Sequence, residues 1–105
     1  MADMLDTLEQ TIRARRGADP STSYVAKLTH RGRAKIAQKL GEEATETVIA
    51  AIQDDREELT KEAADLVFHL IVLLADAGLS LDDVRAELAR REGVSGIEEK
   101  AGRST

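Results

Sequence analysis

Cysteine is absent from the 105 residues. Neither a disulfide nor a thiolate-ligated metal site can therefore be built, and a reducing compartment suits the chain. Aromatic residues make up 2% of the composition, Tyr24 and Phe68 alone, so Leu, Ile, Val and Ala must fill whatever core forms. The N-terminal stretch MADMLDTLEQTIRARR contains no continuous apolar segment of the kind a secretory signal needs. The longest apolar run, Leu66 to Ala75, is interrupted by His69 and falls well short of the roughly 20 residues that span a bilayer. These absences predict a cytoplasmic protein with no membrane partner. A chain of this length supports one domain. Such a domain removes only about 60–70% of its unfolded surface from water, a thin core that makes partner subunits plausible.

Acidic residues are missing between Pro20 and Gly41, where Lys27, Arg31, Arg33, Lys35 and Lys39 all fall, although the formal net charge is −5. An acidic protein of this kind is a poor candidate for nucleic-acid binding. A local basic segment inside it suits a small anionic ligand; a solvated basic face has the same composition.

Helical periodicity dominates the remainder. Leu5, Leu8 and Ile12 recur at helical spacing and predict a first helix over 3–16, ended by Gly17 and by Asp19-Pro20, since the residue before proline avoids the α region. A short helix is expected over 21–30 before Gly32 interrupts. The third is predicted over 33–53, with Ile36, Leu40, Ala44, Thr47 and Ala51 inside one arc of about 80°. Asp54-Asp55-Arg56 reads as a tight polar turn. Asp55 with Glu58 forms a capping signal for a fourth helix over 56–77, stopped by Gly78. Ser80 with Asp83 opens a fifth over 81–91, and the glycine-containing tail, 93–105, is flexible by composition. The fourth helix is apolar around its whole circumference, which one small core cannot cover. The expected architecture is therefore all-α, an antiparallel helical hairpin forming a four-helix-bundle type of homodimer.

Two acidic groups stand on that hairpin, Glu42-Glu43-x-x-Glu46 on the third helix and Glu62-x-x-Asp65 on the fourth. Residues at i and i+3 share a helix face, separated by about 4.5 Å of rise. Glu43 and Asp65 are equally far from Asp54 along the chain, as are Glu46 and Glu62. The members of each pair should face one another across an antiparallel hairpin if both groups point into the groove. Glu43 borders the apolar arc, about 20° from Ile36, with Glu46 roughly 60° further out. Two unit charges about 4 Å apart repel by about 4 kcal/mol at an effective dielectric near 20, and a cation among the carboxylates would remove that conflict. All-oxygen ligation selects a hard ion, Mg²⁺ or Mn²⁺. The opposing possibility is a pair of exposed, solubilising E-x-x-E motifs.

Arg33 and Lys35 occupy the first turn of the third helix, where the macrodipole disfavours a cation by about 0.3–1 kcal/mol; a bound anion would relieve this. Lys35 and Lys39 lie one turn apart on the side carrying Glu42 and Glu46, the juxtaposition of metal and ammonium groups that phosphoryl chemistry uses. His69, four residues after Asp65, is either a satisfied core histidine or a group that orients Asp65.

These residues resemble a family. KIAQKLGEEATE (35 to 46) followed by EAADLVFHL (62 to 70) resembles the E-E-x-x-E then E-x-x-D pattern of the all-α MazG-type nucleotide pyrophosphohydrolases. SYVAKL (23 to 28) and REGVSGIEEKAGR (91 to 103) make the likeness closer to the phosphoribosyl-ATP pyrophosphohydrolases. The resemblance implies hydrolysis of phosphoribosyl-ATP to phosphoribosyl-AMP and diphosphate, a step of histidine biosynthesis, by a Mg²⁺-dependent homodimer. It also implies that Glu43, Glu46, Glu62 and Asp65 hold metal and that the tail is more than slack. On that footing Glu42 or Glu46 accepts the attacking water's proton. Lys27, Arg31, Lys35 and Lys39 are candidate phosphate contacts, and Tyr24 packs against base or ribose or serves the core. Two alternatives stay open: a MazG-type enzyme acting on NTPs or dNTPs, and a non-catalytic helical dimerisation module.

Overall fold

A computed structural model of the chain describes residues 3–93. Among these are five helices and no strand: α1 (Met4–Arg15), α2 (Tyr24–Arg31), α3 (Arg33–Ile52), α4 (Arg56–Asp76) and α5 (Leu81–Arg90). The expected all-α class is observed, and the expected tail over 93–105 lies, beyond Gly93, outside the described residues. No single described helix is long and apolar enough to cross a membrane.

Helix boundaries follow local hydrogen bonding. Asp3 caps α1 and Ser80 caps α5, each in a reciprocal capping box, with Asp6 and Asp83 respectively. Asp55 accepts from the Glu58 backbone N–H at the start of α4, so one half of the box expected there is formed. The second helix starts later than its predicted position 21. Asp19 Oδ1 accepts from the Ser21 N–H at 2.9 Å and holds a turn, and the Ser23 hydroxyl then accepts from Ala26 N–H as the true cap. Side-chain capture of the backbone near Pro20 thus delays the helix by one turn.

Gly32 separates α2 from α3 with φ 98° and ψ 173°, a conformation essentially reserved for glycine. At the other end of α3, Asp54 sits at φ 54°. The Asp55 N–H reaches Ala50 O and the Asp54 N–H reaches Ala51 O, each at 3.1 Å, a Schellman closure with Asp in the left-handed position. This closure returns the chain as α4, and α3 against α4 is the most extensive helix pair in the structure.

The core gathers at the end of the hairpin remote from that turn. Ile12 of α1, Val25 and Leu28 of α2, Ile36 of α3, and Ile71, Val72 and Ala75 of α4 are buried together, with Leu8, Val67 and Phe68 against them. The buried stripe of α3 is Ile36, Glu43 and Ala50, a heptad-spaced line; Leu40, Ala44 and Thr47 are half-buried and Ala51 is exposed. Glu43 therefore lies at the centre of the inward face, where the wheel placed it at the border. Near the turn no third layer of described residues covers the hairpin, and Val48, Ile49 and Ile52 of α3 are exposed, Ile52 to 79%.

Arg33 is not free to receive an external anion. Its Nε donates to Asp76 Oδ2 at 2.8 Å and its Nη2 to the Asp76 carbonyl at 3.0 Å, while Arg16 donates to Asp76 Oδ1 at 3.1 Å. The last residue of α4 thus supplies the negative charge that the first turn of α3 requires. Replacing Asp76 by Asn should lower stability by about 1–2 kcal/mol, the lower part of the range for charged hydrogen bonds because Arg33 is 60% exposed. Urea denaturation measures this, and an unchanged midpoint would show that the clamp contributes nothing.

Candidate metal centre

Packing α3 on α4 brings acid side chains face to face. Glu43, Glu62 and Asp65 each place a carboxylate oxygen in one space between the helices, the three atoms lying within 4.8 Å of one another. Glu43 arrives there because it continues the buried stripe of Ile36 and Ala50; Glu62 and Asp65 arrive because i and i+3 share a face of α4. Glu46, one turn beyond Glu43, meets the Glu62 carboxyl from the side of the hairpin turn. It also lines two openings: a cleft of about 220 Å³ shared with Ile49, Gln53, Glu58 and Glu62, and a shallower one of about 560 Å³ bordered by Gln38, Gly41, Glu42 and Thr45.

The electrostatics of the groove are those of crowded carboxyls. Glu62 is pushed up to about 8, first by a contact with the Glu46 carboxyl that only a shared proton makes favourable, then by desolvation and by Glu58 and Glu43. Glu43, 9% exposed, is also raised, by burial first and then by Glu46. Glu43 Oε2 and Glu62 Oε2 are buried and meet no hydrogen-bond donor among the described residues. Buried acceptors without donors cost free energy. A hard divalent cation fits such a set, since every atom offered is a carboxylate oxygen. The cluster is therefore able to bind a metal ion.

The other sequence candidates divide. Glu42 lies outside the cluster, accepting from Gln38 Nε2 at 2.8 Å and Lys39 Nζ at 3.0 Å; these bonds hold its carboxyl below the usual range. Lys39 is thereby engaged with Glu42, and Lys35 adds its charge to the same carboxylate. Lys27 and Arg31 are exposed on α2, and no described contact ties them to the acids.

His69 is 5% exposed and lies against the Asp65 backbone. Its Nδ1 lies 2.7 Å from the Asp65 carbonyl oxygen, which can only accept, so Nδ1 carries the proton. The support goes to the Asp65 backbone, not its carboxylate. In that tautomer Nε2 offers a lone pair, and the Tyr24 hydroxyl, 2.7 Å away, donates to it. Burial raises the Tyr24 phenol above its usual value, consistent with a hydroxyl that keeps its proton. The meeting of Glu46 with Glu62 is the one expected from their equal distances from the turn; the Tyr24–His69 pair joins α2 to α4 and follows from no spacing on one helix.

Comparison with known proteins identifies a family. A family model described as phosphoribosyl-ATP pyrophosphohydrolase matches residues 5–92. The phosphoribosyl-ATP pyrophosphatase of Rhizorhabdus wittichii is 67% identical over 103 residues, covering 98% of this chain and 97% of that one. The protein of the same name from Novosphingobium aromaticivorans is 64% identical over 102 residues, 97% and 95% of the two chains. That of Azospirillum brasilense is 59% identical over 104 residues, 99% and 94%.

Because Glu62 ionises near 8 when folded and near 4.5 when unfolded, folding retains a proton that the unfolded chain releases. Its contribution is intact below about pH 4.5 and lost as pH rises through about 8. The melting temperature of chelator-treated protein should therefore fall between about pH 5 and pH 8.5, a divalent cation should restore it at the upper end, and Glu62→Gln should flatten the profile. A flat profile in the parent protein would contradict the crowding.

Proposed function

The chain belongs to the phosphoribosyl-ATP pyrophosphohydrolase family, and from that membership we propose that the α3–α4 groove hydrolyses phosphoribosyl-ATP to phosphoribosyl-AMP and diphosphate, the second step of histidine biosynthesis. The observation that carries the reading is the convergence of Glu43, Glu62 and Asp65 with two buried, donor-less oxygens among them. Family membership removes the non-catalytic dimerisation reading.

The residues fit Mg²⁺ best, because every donor is a carboxylate oxygen and the adjoining clefts leave room for the waters this ion retains. Glu43, Glu62 and Asp65 would hold the ion, which would supply charge neutralisation for the diphosphate and acidify a water. The chain's own residues then have distinct tasks. Glu43, Glu62 and Asp65 would set where that counter-charge stands, through their convergence between α3 and α4. Glu46, touching Glu62 and facing both clefts, accepts the proton of the attacking water. Glu42 is the weaker candidate for that task, since Gln38 and Lys39 satisfy its carboxylate and depress its basicity. Lys39 and Lys35, on Glu42's side, meet phosphate oxygens at the groove edge. Lys27 and Arg31, on α2, are reserved for the outer phosphates.

The exposed apolar residues Val48, Ile49 and Ile52 support a homodimer in which a second copy covers the uncovered end of the hairpin. Ile49 also lines the Glu46–Glu62 cleft, so this interface would border the site. A nucleotide substrate and a cysteine-free chain support a cytoplasmic location.

Glu62→Gln or Asp65→Asn should reduce turnover of phosphoribosyl-ATP by at least about 100-fold with an unchanged helical circular-dichroism spectrum. Diphosphate release should be measured beside a panel of dNTPs; preference for a dNTP over phosphoribosyl-ATP would move the protein to the MazG-type reading. For the assembly, sedimentation should give a dimer for the parent and a monomer for the double substitution Val48→Glu, Ile52→Glu. A parent that sediments as a monomer rules the interface out.

A further inference from the structure

A further cavity, of about 210 Å³, lies between α1 and α2, with Leu8, Thr11, Arg15, Thr22, Tyr24 and Phe68 among its walls. Tyr24 joins it to the metal centre. One side chain borders the cavity, donates to His69, and experiences the charges of Lys39, Glu43, Asp65 and Glu42. Anything bound in this cavity is thus one tyrosine away from the carboxylates.

The chemistry of the walls is selective. The Thr11 hydroxyl donates to Thr7 O at 3.1 Å and the Thr22 hydroxyl to Asp19 O at 3.3 Å. Their protons are committed, and their oxygens remain as acceptors. The Arg15 guanidinium makes no hydrogen bond or ion pair among the described residues, leaving a cation with five N–H donors at the rim. Tyr24 and Phe68 stack on one another, centroids 6.1 Å apart at 26°, so they form a wall and leave no slot for a base between them. Acceptor oxygens, an apolar wall and an unpaired guanidinium match a polyol with an anionic end: hydroxyl donors for the threonines, a C–H face for the rings, a phosphate for Arg15.

We propose that this cavity binds the ribose 5-phosphate group of the substrate, with Arg15 on its phosphate and Tyr24, held by His69, as the wall between it and the metal centre. The proposal rests on the hydrolytic reading above and deepens it, because the added phosphoribosyl group is what distinguishes phosphoribosyl-ATP from ATP. Arg15 becomes a specificity-determining residue, remote from the bond that breaks.

The test uses the full chain with Mg²⁺ and two probes, phosphoribosyl-AMP and AMP, which differ by the group in question. Calorimetric titration of Arg15→Gln should weaken phosphoribosyl-AMP binding about tenfold or more and leave AMP binding as in the parent; Arg15→Lys should recover part of the loss. In turnover, Arg15→Gln should raise KM for phosphoribosyl-ATP by a similar factor with kcat within about twofold, the signature of lost uniform binding. Thr11→Phe, which fills the cavity, should reproduce that pattern. Unchanged phosphoribosyl-AMP affinity in Arg15→Gln, or an equal loss for both probes, overturns the assignment. A parent protein inactive on phosphoribosyl-ATP would instead overturn the proposed function, so the two failures are distinguishable.

Discussion

Repulsion among carboxylates held across one helical hairpin is the constraint around which this small protein is arranged. On a flexible surface, Glu43, Glu46, Glu62 and Asp65 would swing apart into water. Here Glu43 occupies a central, inward position of α3, and Glu62 and Asp65 lie on the facing side of α4. The backbone itself brings them together. The conflict persists because both ends of the hairpin are fastened. At one end Asp54 closes a Schellman turn; at the other, Asp76 ties the end of α4 to the start of α3 through Arg33 and to α1 through Arg16. The two fastenings set the register in which the acids meet, and a local free-energy cost is held ready for a cation to relieve.

The stabilising core and the reactive groove occupy different lengths of the same two helices. Ile36, Ile71 and Val72 pack with α1 and α2 at one end, and the acids and the exposed Val48, Ile49 and Ile52 fall toward the other. The acids are thereby placed beyond the part of the hairpin that α1 and α2 bury, beside clefts open to solvent. His69 connects the two regions. Buried on the core side, it fixes the Asp65 backbone with one ring nitrogen and Tyr24 with the other, so α2 is positioned relative to the groove by a directional hydrogen bond as well as by apolar contact.

The elements of the fold were legible in the amino-acid sequence because they rest on local interactions. Apolar periodicity, the Asp55 and Ser80 caps and the glycines at 32 and 78 specify helices and their ends through contacts between residues close in the chain. The equal distances of Glu43 and Asp65, and of Glu46 and Glu62, from the turn carried the groove as well, since an antiparallel hairpin converts chain distance into height. The start of α2 was legible less well, because an Asp19 side chain competing for the backbone leaves the same composition as a first helical turn.

What only the tertiary structure decided concerns partners far apart in sequence. Arg33 had the composition of an anion site until Asp76 arrived beside it. Glu42 had the same pattern credentials as Glu46 until Gln38 and Lys39 closed around it. The cavity beside Tyr24 exists because α1 and α2 meet over Phe68. Helix type follows from free energies summed over neighbouring residues, which the order of amino acids encodes directly. Whether a given charge is free, paired or buried depends on which distant side chain occupies the few ångströms around it, and that is determined only when the helices pack.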